Sequence, residues 1–85
     1  MEKFLNGNSQ IDPLSIHSPK ELGLLIKATR KKAKMTQDDL AALLNVGRRF
    51  VGEVERGKPS VELGRVLKLL NGLGLNLQVI SRGQK

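Results

Sequence analysis

Apolar residues line one helical face early in the chain. Leu22, Leu25, Ile26, Thr29 and Ala33 recur at helical spacing, just after Ser18-Pro19, with Glu21 three places beyond the serine. A serine before the helix, a proline at its first position and an acid at its third form a start signal. Their side chains satisfy amide groups that have no partner inside the helix, and proline has no N–H to lose there. The pattern predicts a helix over about 19–33. It ends near Lys31, Lys32 and Lys34, whose charges complement the helix dipole.

Thr36 caps a second helix with Asp38 and Asp39 in its first turn and Leu40, Ala41, Leu43 and Leu44 as its stripe. Asn45-Val46-Gly47 breaks the pattern, since Asn and Gly tolerate turn conformations. A third helix is expected from Arg48 to Arg56, with Val51 and Val54 inward, and Gly57-Lys58-Pro59 stops it. Ser60 caps a fourth over about 61–72, with Leu63, Val66, Leu67, Leu70 and Leu73 on one face and Gly72 and Gly74 at its end.

The period then changes from helical to two. Leu75, Leu77 and Val79 alternate with Asn76, Gln78 and Ile80, which is a strand pattern. No second strand is legible in the chain, and a strand needs partners for its backbone groups. Two copies of the segment related by a twofold axis can pair antiparallel, with Leu75, Leu77 and Val79 closing a joint core. The resulting division is a loose arm over 1–17, a helical domain over 18–74, and a dimerisation strand and tail over 75–85.

Composition narrows the chemistry. Eighty-five residues make one domain with a small core. With no cysteine and one histidine, His17, a His/Cys metal site or a Cys/His or Ser/His dyad has no material, so neither a metal, a cofactor nor an enzymatic activity is expected. No apolar run approaches the roughly 20 residues that span a bilayer, and residues 1–10 lack a signal-peptide core. The expectation is a soluble cytoplasmic protein with no membrane partner.

Fifteen Lys and Arg against eight Asp and Glu give a formal charge of +7. Such an excess suits either a polyanionic partner or a merely solubilising surface. Its distribution favours the partner: between Lys27 and Lys58 there are nine basic and four acidic residues.

Thr36 to Gly57 reads as two short helices joined by a tight turn, the helix-turn-helix motif, whose second helix enters the major groove of DNA. Arg48 and Arg49 open that helix, and a guanidinium bonds guanine O6 and N7 together. At least one of them is expected to read a base. Glu53, one turn on, either accepts from cytosine N4 or holds Arg49. Phe50 either touches a thymine methyl or belongs to the core. The groove is favoured, because Val51 and Val54 already define the inward face. Arg56 and Lys58 are expected to contact phosphate, which sets position and not sequence.

Residues 22–74 resemble the phage-repressor type of helix-turn-helix domain, the Xre or Cro/C1 family. The resemblance is carried by Thr36-Gln37, Leu40-Ala41, Val46-Gly47, Val51, Glu55-Arg56-Gly57, Pro59-Ser60 and Leu67. It implies an all-α, lambda-repressor-like domain of four to five helices. Thr36 and Gln37 would contact phosphate, with Gln37 also bracing the recognition helix, and Arg30 and Glu55 would form an internal ion pair. The chain departs from the family pattern at Arg49 and Phe50, where small polar residues are usual, so the family's base preference is not carried over.

The extension LGLNLQVISRG resembles the HipB-like antitoxin subgroup. That resemblance implies a homodimer joined through its final strands, repression of its own operon at an inverted-repeat operator in double-stranded DNA, and a HipA-like kinase toxin as partner. A stand-alone phage-type or host repressor is the alternative. A protein-interaction adaptor on the same fold is a third reading, against which the basic third helix argues.

Overall fold

The computed structural model describes residues 14–83. The arm expected over 1–17 therefore lies largely outside the described residues, as do the last two residues of the tail. Among the described residues there are four helices: α1 (Pro19–Lys32), α2 (Gln37–Leu44), α3 (Arg48–Glu55) and α4 (Leu63–Gly72). α3 packs against both α1 and α2, and α4 closes on α2.

Local chemistry sets most of the helix ends. The Ser18 hydroxyl accepts from the Glu21 amide at 3.1 Å. The Glu21 carboxylate, however, accepts from the His17 amide and not from that of Ser18, so this capping box is displaced by one residue. The box at α2 is complete: Thr36 Oγ1 accepts from the Asp39 amide at 3.0 Å, and Asp39 Oδ2 from the Thr36 amide at 2.9 Å. In the turn before α3 the left-handed residue is Asn45, at φ 55°, while Gly47 has an ordinary φ of −70° and precedes α3 without a side-chain cap.

α4 begins two residues later than its sequence suggests. Glu62, not Ser60, is its N-cap, and its carboxylate accepts from the Arg65 amide at 3.0 Å. The buried stripe is Val66, Leu69 and Leu70, with Leu73 and Leu67 partly covered. Leu69, absent from the expected face, is fully buried, and Leu63 is 66% exposed. Periodicity places Leu63 on the stripe, but its position in the first turn puts it on the wall of an open groove beside Val61 and Pro59.

The core comprises Ile26 from α1, Leu40 and Ala41 from α2, Phe50, Val51 and Val54 from α3, and the α4 stripe. Two glycines let α1 approach the end of α3 closely. A Cβ on Gly23 would lie 2.3 Å from the Val54 carbonyl oxygen and 2.7 Å from that of Glu55. Gly57, at φ 83°, takes a conformation that side chains rarely adopt, and a Cβ there would lie 2.7 Å from Lys20 Cα.

Beyond α4 the chain turns at Gly74, φ 76°, and the Leu75 amide donates to the Leu70 carbonyl at 2.8 Å. Leu75 packs against the core, whereas Leu77 and Val79 are 62% and 93% exposed. No strand forms within the single chain among the described residues. The segment has no second strand to pair with there, so only Leu75 of the three expected apolar residues covers the helices.

Gly23→Ala is expected to destabilise the domain by about 1–3 kcal/mol, because the added methyl meets backbone carbonyls that no rotamer change can move aside. Gly47→Ala, whose nearest neighbour is 4.0 Å away, should lose no more than about 1 kcal/mol. Urea unfolding of the two variants measures the difference, and equal losses would contradict the close approach of α1 to α3.

Candidate nucleic-acid interface

Arg30 and Glu55 bring three helices to one point. Arg30 Nε donates to Glu55 Oε2 at 2.6 Å and Nη2 to Oε1 at 3.0 Å, in the two-pronged geometry that suits guanidinium and carboxylate. Each residue is 6% exposed. Arg30 Nη1 also donates to the Met35 carbonyl at 2.8 Å, which ties down the α1–α2 turn. Gln37 Nε2 donates to Glu55 Oε1 at 2.9 Å, so the start of α2 is held to the end of α3.

Charge and burial oppose each other at this carboxylate. Burial pushes Glu55 up, but hydrogen bonds from Arg30 and Gln37, with the charges of Arg30 and Lys27, more than offset it and hold the group below the usual glutamate value. The Glu55 hydrogen bond in turn raises Arg30 further above its ordinary value, against the effect of its own burial.

This bracing leaves the first turn of α3 outward. Arg48 and Arg49 are both exposed, and the Arg49 side chain is 90% so. Each has a carboxylate within reach: Asp38 Oδ1 lies 3.4 Å from Arg48 Nε, and Glu53 Oε2 lies 3.3 Å from Arg49 Nε. Glu53 also accepts from Lys58 Nζ at 3.3 Å, and these two cations hold its carboxyl below the ordinary value, the Lys58 hydrogen bond most. Glu53 thus contacts Arg49, as one of its two expected roles requires.

Phe50 requires a correction. Its side chain was expected in the groove, yet it is 8% exposed and belongs to the core cluster. Val51 and Val54 lie within the inward face of α3, with Phe50 at one edge and Gly52 at the other. Because α3 is covered from more than one side, that face is wide enough to take in Phe50, Gly52 and Glu55 as well. A buried ring is not available to a thymine methyl.

Cations converge beside α3. A depression of about 380 Å³ is lined by Arg30, Lys31, Lys34 and Arg48, with Thr36, Gln37 and one carboxylate, Asp38. Thr36 is exposed at its rim, with its hydroxyl proton still available to donate. Arg56 reaches the same region from the end of α3. Its Nη1 lies 3.2 Å, and Gln37 Oε1 3.8 Å, from where a Cβ of Gly52 would be, so the bare glycine leaves room for both. Lys58 stands further along, 46% exposed and paired with Glu53.

The structure thus gathers Thr36, Gln37, Arg48 and Arg56, and adds Asp38, Lys31 and Lys34, to which the sequence assigned no contact. Helical wheels of α2 and α3 taken alone carry no sign of the Asp38–Arg48 approach, because it crosses the turn between them. Among the described residues no group of His, Cys, Asp or Glu side chains could hold a metal ion, and no helix is long and apolar enough to cross a membrane.

Comparison with known proteins agrees with this geometry. A family model described as Helix-turn-helix matches residues 26–80. An uncharacterized HTH-type transcriptional regulator of Sinorhizobium fredii, y4mF, is 36% identical over 70 residues, covering 82% of this chain and 92% of the relative. Among solved structures, a HipB–O4 20mer complex superposes with a TM-score of 0.74 at 23% identity, over 81% of this chain and 97% of the other. A HipA–HipB–O2–O3 complex matches with the same score, identity and coverage. At that identity the structural likeness establishes the fold.

The stability of the domain should fall with acid. The carboxyls of Glu55, Glu53 and Asp39 are all held below their ordinary values. The stabilisation they contribute is complete above the unfolded-state values, 4.5 for glutamate and 3.8 for aspartate, and is lost as the pH falls through the lower folded-state values. Glu55→Gln should cost about 3–5 kcal/mol at pH 7, since it leaves the Arg30 charge buried without its partner. It should also flatten the acid limb. Denaturant unfolding between pH 7 and pH 3 measures both, and an acid limb unchanged by the substitution would remove Glu55 from this role.

Proposed function

This chain belongs to the Xre-like helix-turn-helix family, and from that premise we propose that it is a sequence-specific DNA-binding repressor that acts as a symmetric dimer in the cytoplasm. The observation that carries the reading is the pair of exposed guanidinium groups on the first turn of α3, beside a depression lined with further cations. In this motif that turn enters the major groove. Arg48 and Arg49 read bases there, and a guanidinium bonded to guanine O6 and N7 discriminates by about 1–3 kcal/mol. Glu53 holds Arg49 in its working position.

Thr36, Gln37, Arg56 and Lys58 take phosphates, with Lys31 and Lys34 adding charge at the depression. These contacts position the protein without specifying sequence. Gln37 joins the two tasks, since the residue that meets the backbone is also bonded to the end of α3.

The narrower reading is that the protein is the antitoxin and autorepressor of an operon that also encodes a HipA-like kinase toxin. It is supported by the fold shared with HipB, which one solved structure holds together with HipA, and by the alternating tail. A stand-alone repressor would use the same DNA surface, and the neighbouring gene tells the two apart.

The dimer is formed by the tail. Leu77 and Val79 are exposed in the single chain, and an extended segment with open N–H and C=O groups invites pairing with another. Residues 75–80 of two chains pair antiparallel about a twofold axis and cover those side chains. A two-stranded ribbon alone is marginal, so packing against the ends of both α4 helices completes the interface.

Binding is expected at an inverted repeat whose half-site centres lie roughly 34–36 Å apart, because two helices related by a dyad enter successive major grooves on one face only at that spacing. Changing both Arg48 and Arg49 to Ala, with the fold verified by circular dichroism, should abolish operator preference in gel-shift competition. Sequence-specific binding that survives in this double variant would sink the assignment of α3.

Truncation after Gly74 should convert a dimer at micromolar concentration into a monomer in sedimentation. Operator affinity should drop greatly, since the two half-sites no longer bind together. A truncated chain that still sediments as a dimer would place the interface outside the tail.

A further inference from the structure

Phe50 and Arg65 carry an inference that rests on the DNA-binding reading and extends it beyond the two helices of the motif. Arg65 lies in the first turn of α4, and its guanidinium carbon stands 5.9 Å from the centroid of the Phe50 ring. A cation over an aromatic face is attracted by the ring quadrupole, and the planar guanidinium stacks where an ammonium does not. Phe50 directly follows Arg49, so this contact fastens a charged side chain of α4 to the first turn of α3.

Arg65 nonetheless keeps 61% of its side chain exposed. Its carboxylate neighbour is Glu62, 3.7 Å from Nε, whose Oε1 is already engaged as acceptor from the Arg65 amide. An ion pair so exposed on both sides is weak and yields readily to a stronger anion.

Position on α3 gives the arrangement a purpose. Arg48 and Phe50 are two residues apart, about 200° around a helix of 3.6 residues per turn, so they face opposite ways. Arg48 points to Asp38 and the cation-lined depression, and Phe50 points to Arg65. A helix lying in the major groove has a phosphate backbone on each side. The depression and Arg65 flank α3 on its two opposite sides.

We propose that Arg65 contacts a DNA phosphate on the α4 side of α3, and that Phe50 is its positioning residue. Phe50 then serves DNA binding from inside the core, by holding a guanidinium in place and not by touching a base.

The test uses the full chain and a mixed-sequence duplex, with binding followed by fluorescence anisotropy across a salt series. Wild-type affinity should fall linearly on a log–log plot. Arg65→Ala should reduce the slope by about 1.8 for the dimer, the loss of one phosphate contact in each protomer, while Arg65→Lys retains it. Phe50→Leu should weaken wild-type binding by roughly two- to fivefold per protomer, about five- to thirtyfold for the dimer, the range of an exposed cation–ring contact.

In the Arg65→Ala background Phe50→Leu should have no further effect on binding, although its effect on thermal unfolding persists. If the alanine variant does not fold, Arg65→Gln gives the same reading. An unchanged salt slope, or a Phe50→Leu penalty of equal size in both backgrounds, would overturn the proposal and leave the DNA-binding reading standing. A wild-type protein that does not bind the duplex would overturn both.

Discussion

The bond between Arg30 and Glu55 sets the relation of the first three helices. Arg30 comes from the last turn of α1 and Glu55 from the last residue of α3, while Gln37 from the start of α2 joins the same carboxylate. Two charges taken out of water gain little net stability by pairing, because desolvation consumes most of the attraction. Their value here is geometric. The pair is satisfied in one arrangement of α1, α2 and α3, and any other leaves a buried charge without a partner.

The surrounding packing enforces that arrangement. Gly23 and Gly57 remove the side chains that would hold α1 away from the end of α3, so the backbones nearly touch where the ion pair forms. Ile26, Leu40 and Val51, all fully buried, fill the space between the same helices. With the far end of α3 clamped in this way, its first turn projects outward, and Arg48 and Arg49 need no further support to remain exposed.

Carboxylates then moderate the cationic surface. Asp38 stands by Arg48, Glu53 by Arg49 and Lys58, and Glu62 by Arg65. Each pair is exposed on at least one side and worth little to stability. Each does restrict a long, flexible side chain, which lowers the entropy left to lose in any further contact.

What the sequence alone determined was local. Thr36 with Asp39, Ser18 with Pro19 and the spacings of Leu22 to Ile26 and Val51 to Val54 each act within one or two turns, so the helices could be placed within a few residues of where they form. The tertiary structure decided everything that depends on a neighbour. Phe50 turned inward because α3 is covered on more than one side, and the period of a single helix does not carry the width of its buried face. Leu63 and Leu69 exchanged roles because burial depends on where the helix ends relative to the core. The Asp38–Arg48 and Phe50–Arg65 contacts join different helices, and their distances are set by packing angles that no spacing along one helix encodes. The alternation of residues 75–80 is legible in the chain, but a strand is a property of two segments, and the single chain supplies one.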